Sequence, residues 1–182
     1  VDRVLDFICA DFRYKSQIDI SKINLIGHSR GGGTVLIKAQ EDPRVNKVVT
    51  WAGVSDYKVR FQENTPGFLE FKKKGVYYVQ NARTKQQMPH YWQFYTNFIE
   101  NQKRLTIQRA AQELQKPLLI IHGEKDTTVG MQEAQNLHNW CNTSELFIAP
   151  GANHVFNGKH PYHQASMPKA LTDVVAKTGL FF

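Results

Sequence analysis

Val1, Val4, Leu5, Ile8 and Phe12 recur at helical spacing, so residues 1 to about 14 predict an amphipathic helix. A short strand pattern follows over residues 22–27, then Gly31, Gly32 and Gly33, then a helical stretch over 34–40 that Pro43 ends. Residues 45–51 form a second strand pattern with Val48 and Val49 at its centre. From about residue 53 to 106 the rhythm breaks. There, residues 68–74 and 76–84 read as two strands joined through Lys74-Gly75, followed by the aromatic-rich stretch His90-Tyr91-Trp92-Gln93-Phe94-Tyr95. The alternation then resumes: helix over 107–114, a buried-type strand over 118–122, helix over 130–140, strand over 145–149, a loop over 150–154 and a closing helix over 167–177. Strands alternating with helices predict an α/β domain whose mainly parallel sheet is covered by helices on both faces, with residues 53–106 inserted as a cap.

Composition adds little to this picture. The 182 residues are 41 % apolar and 21 % charged, ordinary for a globular domain with a sizeable core. The longest apolar run, Pro117-Leu118-Leu119-Ile120-Ile121, has the length of a strand and not of a membrane span. The formal charge is +7, but no Arg/Lys-rich helix or RNA-binding signature accompanies it, so neither a nucleic acid nor a membrane is expected as partner. Lys72-Lys73-Lys74-Gly75 reads as a solvated hairpin turn. Cys9 and Cys141 form no C-x-x-C, and Cys9 falls on the apolar side of the first helix as a buried thiol. Such thiols agree with a reducing compartment, and the cytoplasm is the favoured one.

Gly27-His28-Ser29-Arg30-Gly31 is G-x-S-x-G set between a strand and a helix, the context of a nucleophile elbow. A sharp turn there pushes the serine Oγ outward, and glycines at 27 and 31 let strand and helix approach closely. The helix behind the serine collects positive partial charge at its start, and the Arg30 backbone N–H is aimed to receive a developing oxyanion. A serine hydroxyl needs a base, and the base needs an orienting acid. His122-Gly123-Glu124-Lys125-Asp126 supplies a carboxylate at the end of a buried strand, and His154 lies in the loop after the last strand. All three therefore fall at the carboxyl edge of the sheet, where ligands of parallel α/β folds collect.

The Gly27-His28-Ser29-Arg30-Gly31-Gly32 elbow, the His122-Gly123-x-x-Asp126 motif and the Gly151-Ala152-Asn153-His154 loop resemble the α/β-hydrolase superfamily, closest to its dienelactone-hydrolase and prolyl-oligopeptidase-like branch. The resemblance spans the chain outside the insert. It implies Ser29 as nucleophile, His154 as general base and then acid, Asp126 as orienting carboxylate, and no cofactor. Members of that family begin with several strands before the helix that precedes the elbow, and one loop there donates a second oxyanion N–H. This chain starts one helix before its elbow, so it is expected to be the C-terminal part of a longer protein, with one edge of the nucleophile strand unpaired.

Several residues have competing readings. Asp56, after the preceding strand, is a rival acid to Asp126. His28 reads as a packing residue beside the elbow, His122 as structural and His138 as a helix-surface residue. His154, His160 and His163 match no common zinc spacing, and no metal is expected. Tyr91, Trp92, Phe94, Tyr95 and Phe98 line a substrate pocket in the cap or form the cap's own core. The expected reaction is hydrolysis of an ester by an acyl-enzyme route, the substrate a small-molecule ester or a peptide and the insert a cover that sets specificity. The alternatives are a prolyl-oligopeptidase-like peptidase and a hydrolase scaffold that binds without turnover.

Overall fold

The computed structural model describes residues 1–10, 17–81 and 84–182. They form two compact units, one of residues 1–55 with 107–182, the other of residues 56–106.

In chain order the elements are α1 (Asp2–Ala10), β1 (Ile23–His28), α2 (Arg30–Glu41), β2 (Val45–Trp51), α3 (Pro66–Lys74), β3 (Val76–Gln80), β4 (Gln87–Tyr91), α4 (Trp92–Glu100), α5 (Gln102–Leu105), α6 (Ile107–Glu113), β5 (Leu118–Gly123), α7 (Met131–Trp140), β6 (Ser144–Ala149) and α8 (Lys169–Phe181). The larger unit holds a four-stranded sheet in the order β1-β2-β5-β6. All three pairings are parallel, as the alternation of strands and helices predicts. β5 is buried at every position, the signature of a strand covered on both faces. Val49, Leu119, Ile121 and Ala149 share one face of the sheet and pack with Ala152 and Phe156 of the loop after β6 and with Val174 of α8. On the opposite face lie α2, α6 and α7, which contact one another in sequence as a layer. Trp51 Nε1–H donates to Thr178 Oγ1 at 3.1 Å, and Lys47 Nζ donates to the Phe181 carbonyl at 2.6 Å, which tie α8 to β2.

Among the described residues β1 pairs on one side only, with β2, and Ile26 on it is 47 % exposed. α1 covers residues 2–10 of the expected helix, and residues 11–14 lie outside the described ones. Only Leu5 of α1 is buried; Val4 and Phe7 are exposed and Cys9 is half-buried, so the expectation of a buried Cys9 thiol is corrected. Leu5 anchors the helix, and Asp2 and Asp6 form exposed ion pairs with Lys38 and Arg44.

The smaller unit overturns the expected hairpin at Lys74-Gly75. Residues 68–74 belong to a helix: the Thr65 side chain caps its start by accepting the Phe68 N–H at 3.2 Å, and Pro66 sits in the first turn. Gly75 ends it at φ 73°, the left-handed cap glycine adopts without strain. Lys72, Lys73 and Lys74 therefore form a helical last turn, where cations meet the negative end of the helix dipole. The true hairpin pairs β3 with β4, Val76 opposite Tyr91. Residues 82 and 83 of the expected second strand lie outside the described ones. The aromatic residues pack on each other: Phe61 contacts Tyr95 and Phe98, and Trp92 contacts Phe68 and Phe71.

Candidate active site

The elbow begins with a close approach. A Cβ on Gly27 would stand 2.2 Å from the Gly31 carbonyl oxygen and 2.6 Å from Val35 Cγ2, so only glycine lets α2 return against β1. A Cβ on Gly31 would meet nothing within 4 Å, which corrects the role expected of that glycine. Gly32 takes it instead: its Cβ would stand 2.7 Å from Gly53 Cα. Ser29, between β1 and α2, has φ 57° and ψ −123°, a strained conformation for any residue with a side chain. Its main chain is over-determined by bonds to β2 and beyond: Ser29 N–H donates to the Trp51 carbonyl at 2.8 Å, and the Ser29 carbonyl accepts from Gly32 at 2.9 Å and Val54 at 3.3 Å. Arg30 is the first residue of α2 and directly follows Ser29.

Asp126 lies in the turn after β5, its side chain fully buried. Oδ1 accepts the Thr128 N–H at 2.8 Å and the Val129 N–H at 2.9 Å. Oδ2 accepts His154 Nδ1–H at 2.8 Å and lies 3.5 Å from His122 Nε2. Burial by itself pushes the Asp126 carboxyl up, but the Val129 N–H, the His154 side chain and the Thr128 N–H outweigh it and hold the group below its ordinary value. Asp126 is thus a carboxylate at neutral pH. Because a carboxylate only accepts, His154 carries its proton on Nδ1 and keeps a lone pair on Nε2. The rival, Asp56, accepts the Lys58 backbone N–H at 2.6 Å and caps a local turn in the smaller unit.

His154 rides on a loop anchored at both ends. A Cβ on Gly123 would stand 2.5 Å from the Ala152 carbonyl oxygen, so the loop passes directly over the end of β5. The Ala152 carbonyl accepts the Lys125 N–H at 2.8 Å, and Glu124 Oε2 accepts the Gly151 N–H at 2.7 Å. Asn153 Oδ1 gathers the Val155 and Asn157 N–H groups at 3.1 and 2.9 Å. Phe156 then plunges into the core, 1 % exposed, its ring edge-on to Trp51 at 5.9 Å. Phe156 did not stand out in the sequence, since a single aromatic in a loop carries no periodicity, and Asn153 was visible only as a member of the Gly151-Ala152-Asn153-His154 motif, with no role of its own.

His28 is not the packing residue expected: it is exposed, and its Nε2 lies 2.9 Å from the His154 carbonyl oxygen, with the two rings 4.7 Å apart. The elbow and the His154 loop are therefore neighbours. His122 is fully buried, and its Nε2–H donates to the Val129 carbonyl at 2.8 Å, bracing the Asp126 turn. His138 is exposed on α7, with Nδ1 2.8 Å from Ser144 Oγ. Among the described residues no group of three or more His, Cys, Asp or Glu side chains is arranged to hold a metal ion, and no helix is long and apolar enough to cross a membrane.

The sequence profile of the prolyl oligopeptidase family, Peptidase_S9, matches residues 5–173. The chain belongs to the prolyl oligopeptidase family. The chain is 31 % identical over 114 residues to YtmA of Bacillus subtilis, described as an uncharacterized peptidase; the match covers 62 % of this chain and 38 % of YtmA. The chain thus spans well under half of that relative. The fold is that of the α/β-hydrolases. It is similar to the esterase domain of a Rhodothermus marinus protein (20 % identity, TM-score 0.63), covering 97 % of this chain and 67 % of that domain. It is equally similar to Est1E of Butyrivibrio proteoclasticus (18 % identity, TM-score 0.63), covering 97 % of this chain and 68 % of Est1E. In this fold the three candidate residues follow the carboxyl ends of parallel strands, Ser29 after β1, Asp126 after β5 and His154 after β6.

Proposed function

We propose that this prolyl oligopeptidase family member is a serine hydrolase that cleaves esters through an acyl-enzyme formed on Ser29. The observation that carries the reading is the 2.8 Å bond from His154 Nδ1–H to the buried Asp126 carboxylate, beside a serine held at φ 57°. Ser29 Oγ attacks the carbonyl carbon of the ester as His154 Nε2 accepts its proton. Asp126 stabilises the imidazolium that results. The Arg30 N–H donates to the oxyanion, a bond worth about 10²–10³ in turnover for one donor. The imidazolium then protonates the departing alcohol, and water, deprotonated by His154, releases the acyl group. The substrate is a small-molecule ester or a peptide, and the chemistry requires no cofactor.

Amide cleavage is the second reading, favoured by the family itself and by the relative described as a peptidase. The test is intact-mass analysis after treatment with a fluorophosphonate, with Ser29→Ala as control. One adduct that disappears in the variant supports the reading; no adduct, or one that persists, sinks it. Turnover of p-nitrophenyl acetate against a peptidyl p-nitroanilide then separates ester from amide hydrolysis.

A further inference from the structure

Three kinds of tether hold His154, and they differ in where they lead. The Nδ1–H bond leads to Asp126 and fixes the tilt of the ring. The Asn153 side chain shapes the loop from within. The third leads to the elbow: His28, the last residue of β1 and the neighbour of Ser29, reaches across 126 residues of sequence to the His154 main chain. The Nε2 to oxygen distance is 2.9 Å, and a carbonyl only accepts, so the proton sits on His28 Nε2. The ring centroids lie 4.7 Å apart at a tilt of 46°.

We propose that His28 is a positioning residue that sets the approach of His154 Nε2 to Ser29 Oγ, by pinning the His154 main chain to the end of the strand that carries the serine. The proposal rests on the serine-hydrolase reading. His28 takes no proton from substrate or nucleophile; its effect passes through backbone geometry. Proton transfer requires the base within hydrogen-bond reach of the nucleophile. The ring tilt set by Asp126 does not secure that reach if the loop drifts from the elbow.

The test compares His28→Leu, His28→Gln and His28→Asn with the unaltered chain and with Ser29→Ala. Glutamine carries an N–H donor at nearly the reach of the histidine Nε2; asparagine is one methylene short, and leucine has no donor. The readouts are the rate constant for fluorophosphonate labelling, kcat and KM for p-nitrophenyl acetate, and the thermal midpoint. The Leu and Asn variants should label about 10- to 100-fold more slowly, the loss falling on kcat and not on KM. The Gln variant should return to within about threefold of the unaltered chain, as a restored neutral hydrogen bond would. A Leu variant labelled at the unaltered rate, or a Gln variant as slow as Leu, overturns the proposal while leaving Ser29 labelling intact. If the Leu variant does not fold, the Gln and Asn pair decides by the same criterion. Absence of any Ser29-dependent label in the unaltered chain removes the serine-hydrolase reading and this proposal with it.

Discussion

Asp126→Asn tests the site most directly, because the geometry dictates how the amide must sit. Oδ1 of the carboxylate accepts two backbone N–H groups, from Thr128 and Val129, at 2.8 and 2.9 Å. An amide NH2 in that place would face two donors and leave both unsatisfied, at a cost of about 2–6 kcal/mol for the pair. The amide oxygen therefore takes the Oδ1 position, and its NH2 turns to His154 Nδ1. The imidazole must then accept on Nδ1 and carry its proton on Nε2, where a base needs a lone pair. Inversion of this kind lowers turnover by about 10⁴, or about 5.4 kcal/mol. Fluorophosphonate labelling at neutral pH should show it directly, with the fold retained. A rate within about tenfold of the unaltered chain would refute the assignment of Asp126 as orienting acid. The same carboxylate carries a pH signature. Its folded value is held below the ordinary 3.8, so its contribution to stability is present above the unfolded value and is lost as pH falls through the folded one. The stability gap between the chain and its Asn variant should accordingly narrow as the pH drops below 3.8.

Phe156→Ala should destabilise the fold by about 3–5 kcal/mol in urea denaturation, since the ring is fully buried against Trp51, and should slow Ser29 labelling by loosening the His154 loop. A change within about 0.5 kcal/mol would show that the loop is held without it. Gly32→Ala should be poorly tolerated, its Cβ meeting Gly53 Cα at 2.7 Å, whereas Gly31→Ala should match or exceed the parent in thermal midpoint because its Cβ meets open space. Equal midpoints for the two variants would contradict that difference. Asp42 is 4 % exposed, and its carboxylate takes Arg44 Nε at 2.9 Å and Nη2 at 2.7 Å and pairs with Lys38 at 3.2 Å. The Arg44 side chain foremost holds that carboxyl far below the usual range, against its burial. Its stabilisation is therefore present above the unfolded value and survives to strongly acid pH. Asp42→Asn should cost about 1–2 kcal/mol at neutral pH, since Arg44 and Lys38 keep Asp6 and Asp2 as partners, and a neutral substitution would show those partners to suffice.

Much of this protein was legible in the order of its residues. Alternating strand and helix patterns predicted the parallel sheet, because a buried parallel strand such as β5 must be apolar on both faces and reads as a continuous run. The elbow glycine at 27 and the order Ser29, Asp126, His154 were equally visible, since each is tied to the end of a strand that local pattern can locate. Local pattern failed at residues 68–74, where apolar and charged positions fit either period and the deciding signals were the Thr65 cap, Pro66 and Gly75. It failed at Gly31 and Gly32, because which glycine faces another backbone depends on how α2 meets the loop after β2. Asp126 and Asp56 both follow strands; the His-Gly-x-x-Asp pattern favoured Asp126, and the crossing of the His154 loop over Gly123 is what brings the imidazole to that carboxylate. His28 and His154 are 126 residues apart, and no spacing encodes a bond between a side chain and a main-chain oxygen that distant. Sequence determines which segments can be strand, helix or turn, since those preferences are local. Which side chains meet at the sheet's edge is decided only when long-range packing brings the loops together.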